Sequence, residues 1–248
     1  MCGEQYGIPS IEVGPGLILA YNLDMFSEVG LSDTGPRTLE DVYQTHKKLT
    51  RMDPTGERLE TVGIHPLDSM GTTYFETIWS AVFDVDWYDS VNRQLNMLAF
   101  EPTVDWLKRI YDTPGYSLIS GAGIGGWTSG LLTGRLGMQI NGYWVPGELK
   151  SLDCPWEFDY AWMPSALGDK ATAALPWGMG VPYGAKNPDL SFQLIEMFAT
   201  PEAAQEIFDA VGWLNGNLPA MKRLAIHDLP VVARIVAMFD EADRFFAP

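Results

Sequence analysis

Residues 17–30 read LILAYNLDMFSEVG, and this stretch indicates the class of fold. Leu17 to Asn22 is a short apolar run after the turn residues 14–16, which is typical of a buried strand. Leu23 to Val29 has the pattern of a short helix, and Gly30 ends it. Strands and helices continue to alternate along the chain, which predicts an α/β fold.

The clearest helix begins after Thr38. Thr38 can accept a hydrogen bond as the N-cap, and Asp41 stands three residues later as its capping-box partner. The apolar positions of this helix share one face, and the helix ends before the turn at 53–56. Further helices are predicted at 72–83, 102–111, 127–134, from Asn187, from Pro201 and at 229–246. Further strands are predicted at 136–140, 158–162 and 178–181, and a glycine-rich loop at 115–126.

The charge of the chain excludes two classes of partner. The 248 residues include 32 acidic and 16 basic side chains, so the net charge is −16. Nucleic acid and anionic membrane surfaces carry the same sign and repel such a chain. No segment approaches the roughly 18 consecutive apolar residues of a membrane span. The ordinary interpretation of the charge is solubility, and the sharper one is attraction of a cationic ligand.

Cysteine and histidine give no sign of a metal or a cofactor. Cys2 and Cys154 lie in no CxxC motif or Cys/His cluster. The three histidines, His46, His65 and His227, are far apart in the sequence and are interpreted as surface or loop residues. We therefore expect no cofactor and no metal.

One glycine motif could indicate a nucleotide site. Residues 121–126 read GAGIGG and match GxGxxG. A dinucleotide site needs a preceding strand, for which 116–119 is a candidate, and a suitably placed acidic residue. Glu148 has about the right spacing but follows Pro146-Gly147 in a loop, so a flexible loop is the better interpretation. GxSxG, HExxH and P-loop patterns are absent from the sequence, so an enzyme is the minority hypothesis.

Aromatic residues beside predicted loops are the more useful signal. A flat aromatic ring can cover the apolar face of a sugar while polar neighbours bind its hydroxyls. Packing in the core is the alternative role for each of them. The candidate binding residues are Tyr74, Phe75, Trp79, Trp144, Trp177 and its neighbour Gly178.

The order of several short motifs resembles the family 1 extracellular solute-binding proteins of ABC importers. Each motif is weak alone, but six occur in the order of the family across nearly the whole chain. Maltose-binding protein is a distant member of this group. The matching segments are 8–9 with 19–31 (YNKDLFKEAGL in the family), 36–42 (PKTWDEL), 130–144 (F..GKAAM.I.GPW), 177–182 with 186–188 (GG.GYAI and SKN), 199–202 (L.SPE) and 216–219 (G.LP).

The resemblance implies the periplasmic binding protein type II fold, in which two α/β lobes close on a ligand. Carried over, residues 1–15 are the end of lobe 1 and a hinge crossing, and 16–176 are lobe 2. Residues 177–215 are part of lobe 1, and 216–248 return toward lobe 2. Lobe 1 would be incomplete, and the chain is expected to be a fragment of a longer protein. Leu194, Phe198 and Ile207 would then form an exposed apolar patch.

The implied function is binding rather than catalysis. The family captures a solute, here a mono- or oligosaccharide, and delivers it to the transmembrane subunits of an ABC permease. Trp144 matches an aromatic that stacks on sugar in several members, although Tyr143 stands where proline is usual. A monomer is expected, in the periplasm or as a cell-surface lipoprotein. The first residues show no signal peptide, which is expected to lie outside this sequence.

Two classes of alternative stay open, a binding protein for another solute and an enzyme of one of two kinds. A polyamine or another cationic solute would suit the net charge, and it would need several converging carboxylates beside the aromatic rings. A glycoside hydrolase would need two carboxylates on either side of a scissile bond. A nucleotide-dependent enzyme would need the glycine motif to follow a strand and to have a suitably placed acidic residue.

Overall fold

The computed structural model describes residues 8–9, 14, 16–173, 177–217 and 230–246. These residues fall into two compact units. The described residues within 1–15, 143–153 and 174–240 form the first unit, and those within 16–142, 154–173 and 241–248 form the second. The sequence places 143–153 with the second lobe, whereas the structure groups them with 174–240. The assignment of the four ranges to lobes stays a prediction.

The strands of the described residues are β1 (Ile8–Pro9), β2 (Ile18–Asn22), β3 (Arg51–Met52), β4 (Leu59–Ile64), β5 (Tyr88–Asp89), β6 (Gln94–Leu95), β7 (Leu136–Asn141), β8 (Phe158–Trp162), β9 (Ala171–Ala173), β10 (Gly178–Met179) and β11 (Arg244–Phe246). The helices are α1 (Leu23–Glu28), α2 (Leu39–Leu49), α3 (Met70–Thr73), α4 (Phe75–Phe83), α5 (Glu101–Tyr111), α6 (Tyr116–Gly121), α7 (Trp127–Leu132), α8 (Val145–Ser151), α9 (Pro188–Phe198), α10 (Pro201–Val211) and α11 (Pro230–Glu241). A 3₁₀ turn at Met97–Phe100 precedes α5.

The second unit is built on a five-stranded sheet. Its strand order is β3-β4-β7-β2-β8. β4 and β7 are parallel, with Val62 opposite Leu136 and Ile64 opposite Met138. β2 is antiparallel to both β7 and β8. All residues of β2 and β7 are buried, as their apolar sequences predict for central strands.

Local sequence signals explain where the principal helices begin. The Thr38 hydroxyl accepts the Asp41 backbone N–H at 3.0 Å, and the Asp41 carboxylate accepts the Thr38 N–H at 3.0 Å. The predicted capping box is therefore confirmed. The Asn187 and Thr200 side chains cap α9 and α10 by accepting the backbone N–H of Leu190 and of Ala203, and each cap is followed by a proline in the first turn.

The first unit contains α8, α9 and α10 and a short antiparallel pair of β1 and β10. α8 and α10 approach closely at two glycines. A Cβ added to Gly147 would lie 2.2 Å from the Cα of Gly212, and Gly212 has φ +73° as the left-handed C-cap of α10. Only glycine fits this contact, since any side chain would overlap the facing backbone.

The structure corrects several sequence predictions. Residues 116–121 form a helix, so the glycine-rich loop is confined to 122–126. A nucleotide site would need a strand before the glycine motif, and this helix stands in its place. Helix α11 ends at Glu241, and Arg244–Phe246 pairs as a strand with Ala171–Ala173. The strand predicted at 178–181 covers only Gly178–Met179. The helix predicted at 72–83 is interrupted at Tyr74.

The apolar face of α9 is largely uncovered in the described part of the chain. Ile195 is buried, whereas Leu190, Leu194 and Met197 are exposed. Of the three residues expected to form an exposed patch, Leu194 is the one that is exposed. Its neighbours Phe198 and Ile207 are half-buried.

Candidate functional site

The candidate site lies at one edge of the five-stranded sheet. Because β4 and β7 are parallel neighbours, their carboxyl ends meet at the same edge. The loop 65–69 follows β4, and Asn141 ends β7. In open α/β sheets this edge is the usual place for a ligand.

A chain of hydrogen bonds between side chains runs along this edge. The Asn141 amide donates to Gln139 Oε1 at 2.7 Å, and the Gln139 amide donates to Asp68 Oδ2 at 3.0 Å. Asp68 Oδ1 accepts the backbone N–H of Gly126 at 2.9 Å. Gln139 and Asn141 are buried, so their bonds are made in surroundings of low polarity and fix the geometry strongly. We call Asp68, Gly126, Gln139 and Asn141 the polar network.

Ser69, next to Asp68, has an unusual backbone. Its φ of 49° and ψ of −103° lie outside the regions that residues with a side chain normally adopt. Its hydroxyl is buried and has no hydrogen-bond partner among the described residues. Strain of this kind persists where the surrounding structure imposes it, and it clusters at functional sites.

The loop that carries Asp68 is tied to α5 by a tyrosine and a histidine. The Tyr111 hydroxyl accepts the Leu67 backbone N–H at 2.9 Å and is hydrogen-bonded to His65 Nδ1 at 2.8 Å. Burial lowers the pKa of His65, and the charge of Asp68 opposes this effect. The two hydrogen bonds of the Tyr111 hydroxyl hold the loop in place.

The candidate aromatic residues of the second unit differ in burial. Tyr74 lies at the junction of α3 and α4 and is half-buried, as is Phe75. Trp79 is fully buried, and its indole N–H donates to the Gly71 carbonyl at 3.0 Å. A ligand can reach Trp79 only if the side chains around it move. Its role as a ligand contact stays a prediction, and its role in the core is visible in the structure.

The remaining candidates belong to the first unit. Trp144 precedes α8, is 7% exposed and packs edge-on against Tyr143 with 5.2 Å between ring centroids. Trp177 is 56% exposed beside Gly178, whose strand pairs with β1. Trp177 therefore offers a broad ring surface, whereas Trp144 offers only a narrow edge. Their contact with a ligand stays a prediction.

Sequence reasoning missed the polar network and Ser69. Gln139 and Asn141 alternate within an otherwise apolar strand, which places them on one face. That pattern could have indicated a buried polar cluster. Nothing in the sequence marks Ser69, because its strain arises from the fold around it.

The remaining histidines and cysteines do not belong to the polar network. The interpretation of His46 as a surface or loop residue is wrong, because His46 is buried in the core. Its Nδ1 accepts the Ile64 N–H at 3.1 Å, so its Nε2 donates to the Thr113 carbonyl. Cys154 is a free thiol, and Cys2 and His227 lie outside the described residues. Among the residues that the structure describes, no group of three His, Cys, Asp or Glu side chains could hold a metal ion. No helix within the described ranges is long and apolar enough to cross a membrane.

Comparison with known proteins identifies the family. The family model of bacterial extracellular solute-binding proteins matches residues 6–205, which is most of the chain. The chain belongs to this family. The resemblance inferred from the six motifs is thus confirmed, and the family is one of binding proteins rather than enzymes. A comparison with curated protein sequences gives no significant match.

Solved structures share the fold of this solute-binding protein. CpMnBP1 with mannobiose bound superposes with a TM-score of 0.87 at 22% identity, covering 100% of this chain and 63% of that one. The maltose/maltodextrin-binding domain MalE of Bdellovibrio bacteriovorus, bound to maltotriose, has a TM-score of 0.69 at 17% identity, covering 98% of this chain and 62% of that one. UgpB of Mycobacterium tuberculosis, in complex with glycerophosphocholine, has a TM-score of 0.73 at 14% identity, covering 99% and 61% respectively.

These similarities establish the α/β periplasmic-binding-protein fold. The solute-binding chain spans about 63% of the length of the first of these structures. Their ligands differ in chemistry, so the fold by itself does not select a ligand. The choice must come from the side chains of the site.

Proposed function

We propose that this chain belongs to the substrate-binding component of an ABC importer and binds a neutral carbohydrate without changing it chemically. The observation that carries the proposal is the half-buried Tyr74–Phe75 pair on the loop and helix that follow Asp68. An aromatic surface and a fixed carboxylate supply the two contacts that a sugar requires, one for its C–H face and one for its hydroxyls. Sugar-bound solved neighbours support this class of ligand.

The polyamine alternative has less support from the site. The polar network contains a single carboxylate, Asp68, and its partners are amides and a backbone N–H. A polyamine has several ammonium groups, and each needs a carboxylate when it leaves water. The net charge of −16 is spread over the chain and favours this alternative only through long-range attraction.

Binding of a panel of ligands tests the proposal. The chain is titrated by calorimetry with neutral mono- and oligosaccharides of glucose and mannose and with spermidine, and its melting temperature is measured with each. We expect at least one sugar to bind and to raise the melting temperature by mass action. Binding of spermidine alone would establish the polyamine alternative, and release of reducing ends from an oligosaccharide would establish an enzyme.

A variant pair locates the site. Tyr74→Ala should weaken sugar binding about tenfold, because it removes one face of the aromatic surface. Tyr88→Ala is the matched control, since Tyr88 is an exposed tyrosine on the β5–β6 hairpin and should leave affinity unchanged. Equal affinities of Tyr74→Ala and the unmodified chain would remove Tyr74 from the site. Trp144→Ala and Trp177→Ala test the first unit in the same titration.

The remaining features of the proposal follow from membership of the family. The protein would act outside the cytoplasm, in the periplasm or as a cell-surface lipoprotein, and as a monomer. It would deliver its sugar to the transmembrane subunits of a permease. Uptake of the labelled sugar by cells with and without the gene tests this step, and equal uptake would contradict it.

A further inference from the structure

A further exposed tryptophan stands beside the polar network. Trp127 is the first residue of α7 and is 42% exposed. It follows Gly126, whose N–H donates to Asp68 and whose carbonyl accepts the Gln139 amide at 3.1 Å. Both backbone polar groups of the residue before Trp127 are therefore bound to side chains of the network.

Two glycines allow this loop to approach Asp68. Gly126 has φ +111°, and a Cβ there would lie 2.5 Å from Ser129 Oγ. A Cβ at Gly125 would lie 3.2 Å from Asp68 Oδ1. Larger residues would push the loop away from the carboxylate. The glycines thus hold the backbone before Trp127 at a defined distance from Asp68.

The two buried amides of the network lie in a strand that is otherwise apolar. Gln139 and Asn141 occupy a central strand, where burying a polar group is costly unless it is hydrogen-bonded. Their bonds hold Asp68 and Gly126, and through Gly126 they hold the start of α7. A ring presented from such a fixed support loses little conformational entropy on binding.

We propose that Trp127 is a second stacking surface of the carbohydrate site, which makes the ligand an oligosaccharide of at least two rings. This inference rests on the proposed function. Tyr74 and Phe75 lie at the α3–α4 junction, whereas Trp127 lies on α7, so the two surfaces come from different elements that Asp68 and Gly126 join. One sugar ring covers Tyr74 and Phe75, the next covers Trp127, and Asp68 accepts hydroxyls between them.

The test is the dependence of affinity on ligand length. The unmodified chain, Trp127→Ala and Trp127→Phe are titrated with gluco- and manno-oligosaccharides of one to four rings. Trp127→Ala should bind a monosaccharide as the unmodified chain does and should bind the longer sugars about 10- to 30-fold more weakly. Trp127→Phe should recover most of the affinity, since it restores an aromatic face.

Trp156→Ala serves as the matched control. Trp156 has a similar exposure of 39% and donates its indole N–H to the carbonyl of Leu132, at the opposite end of α7 from Trp127. The Trp156→Ala variant should bind sugars of every length as tightly as the unmodified chain does. Circular dichroism confirms that each variant is folded.

The outcomes separate the two proposals. If the unmodified chain binds no sugar of any length, the proposed function fails. If it binds sugars and Trp127→Ala binds every length equally well, or loses the same factor at every length, the second stacking surface is refuted while the carbohydrate function stands.

Discussion

Replacing Trp79 by phenylalanine should destabilise the protein and leave its ligand affinity nearly unchanged. Trp79 is fully buried at the centre of an aromatic cluster, with ring centroids 5.8 Å from Trp106 and 6.3 Å from Phe83 and Phe75. Its indole N–H donates to the Gly71 carbonyl at 3.0 Å, which ties α4 to α3. Trp79→Phe keeps an aromatic ring but removes this bond and part of the ring volume.

The expected loss follows from two contributions. Phenylalanine is smaller by about 40 Å³, and a residual cavity costs roughly 24 cal/mol per Å³, which is about 1 kcal/mol. The lost hydrogen bond adds about 1 kcal/mol. The free energy of unfolding should therefore fall by about 2 kcal/mol. For a protein of this size, that corresponds to a melting temperature lower by roughly 4–8 °C.

Thermal unfolding followed by circular dichroism measures the shift. Trp156→Phe is the control, because Trp156 is partly exposed and its substitution should move the melting temperature by no more than about 2 °C. Both variants are also titrated by calorimetry with the sugar that binds the unmodified chain most tightly. An unchanged melting temperature with a large loss of affinity would refute the reasoning and make Trp79 a ligand contact.

Two further predictions concern stability. Gly147→Ala should destabilise the protein by more than about 2 kcal/mol in a denaturant titration, because its Cβ would overlap Gly212; an effect below about 0.5 kcal/mol would show that the contact can open. Hydrogen bonding to Arg244 lowers the pKa of Asp169 from 3.8 to about 2. Because the pKa is lowered in the folded state, the charged carboxylate stabilises the fold above about pH 4, and this stabilisation is lost as the pH falls toward 2. With both side chains 22% exposed, solvent screening reduces the contribution to about 1 kcal/mol. At pH 6 the free energy of unfolding of Asp169→Asn should thus be lower than that of the unmodified protein by about 1 kcal/mol. The two values should converge as the pH falls, and a difference that stays constant with pH would contradict this.

Much of the fold could be predicted from local patterns. The apolar run at 17–22, the capping box at Thr38 and the Asn187-Pro188 helix start all depend on neighbours within a few residues. The physical causes, burial of an apolar run and satisfaction of free N–H groups, act at that range. The order of motifs was sufficient for the family as well. Where the helical pattern failed, at 244–246, it was outweighed by a tertiary contact, since Arg244–Phe246 pairs with a strand more than 70 residues earlier.

The site depended more on the tertiary structure. An aromatic residue near a loop has the same sequence signature whether it packs inside or faces a ligand, so the sequence selected Trp79 together with Tyr74. Only the packing of α4 shows that Trp79 is buried in the core. Likewise, Asp68, Gly126 and Gln139 lie far apart in the sequence, and the parallel pairing of β4 with β7 brings them together. The sequence by itself thus determined the elements, the family and the supply of aromatic rings. The tertiary structure decided which rings are accessible and which polar groups stand beside them, because burial and hydrogen bonding between distant residues exist only once the sheet has formed.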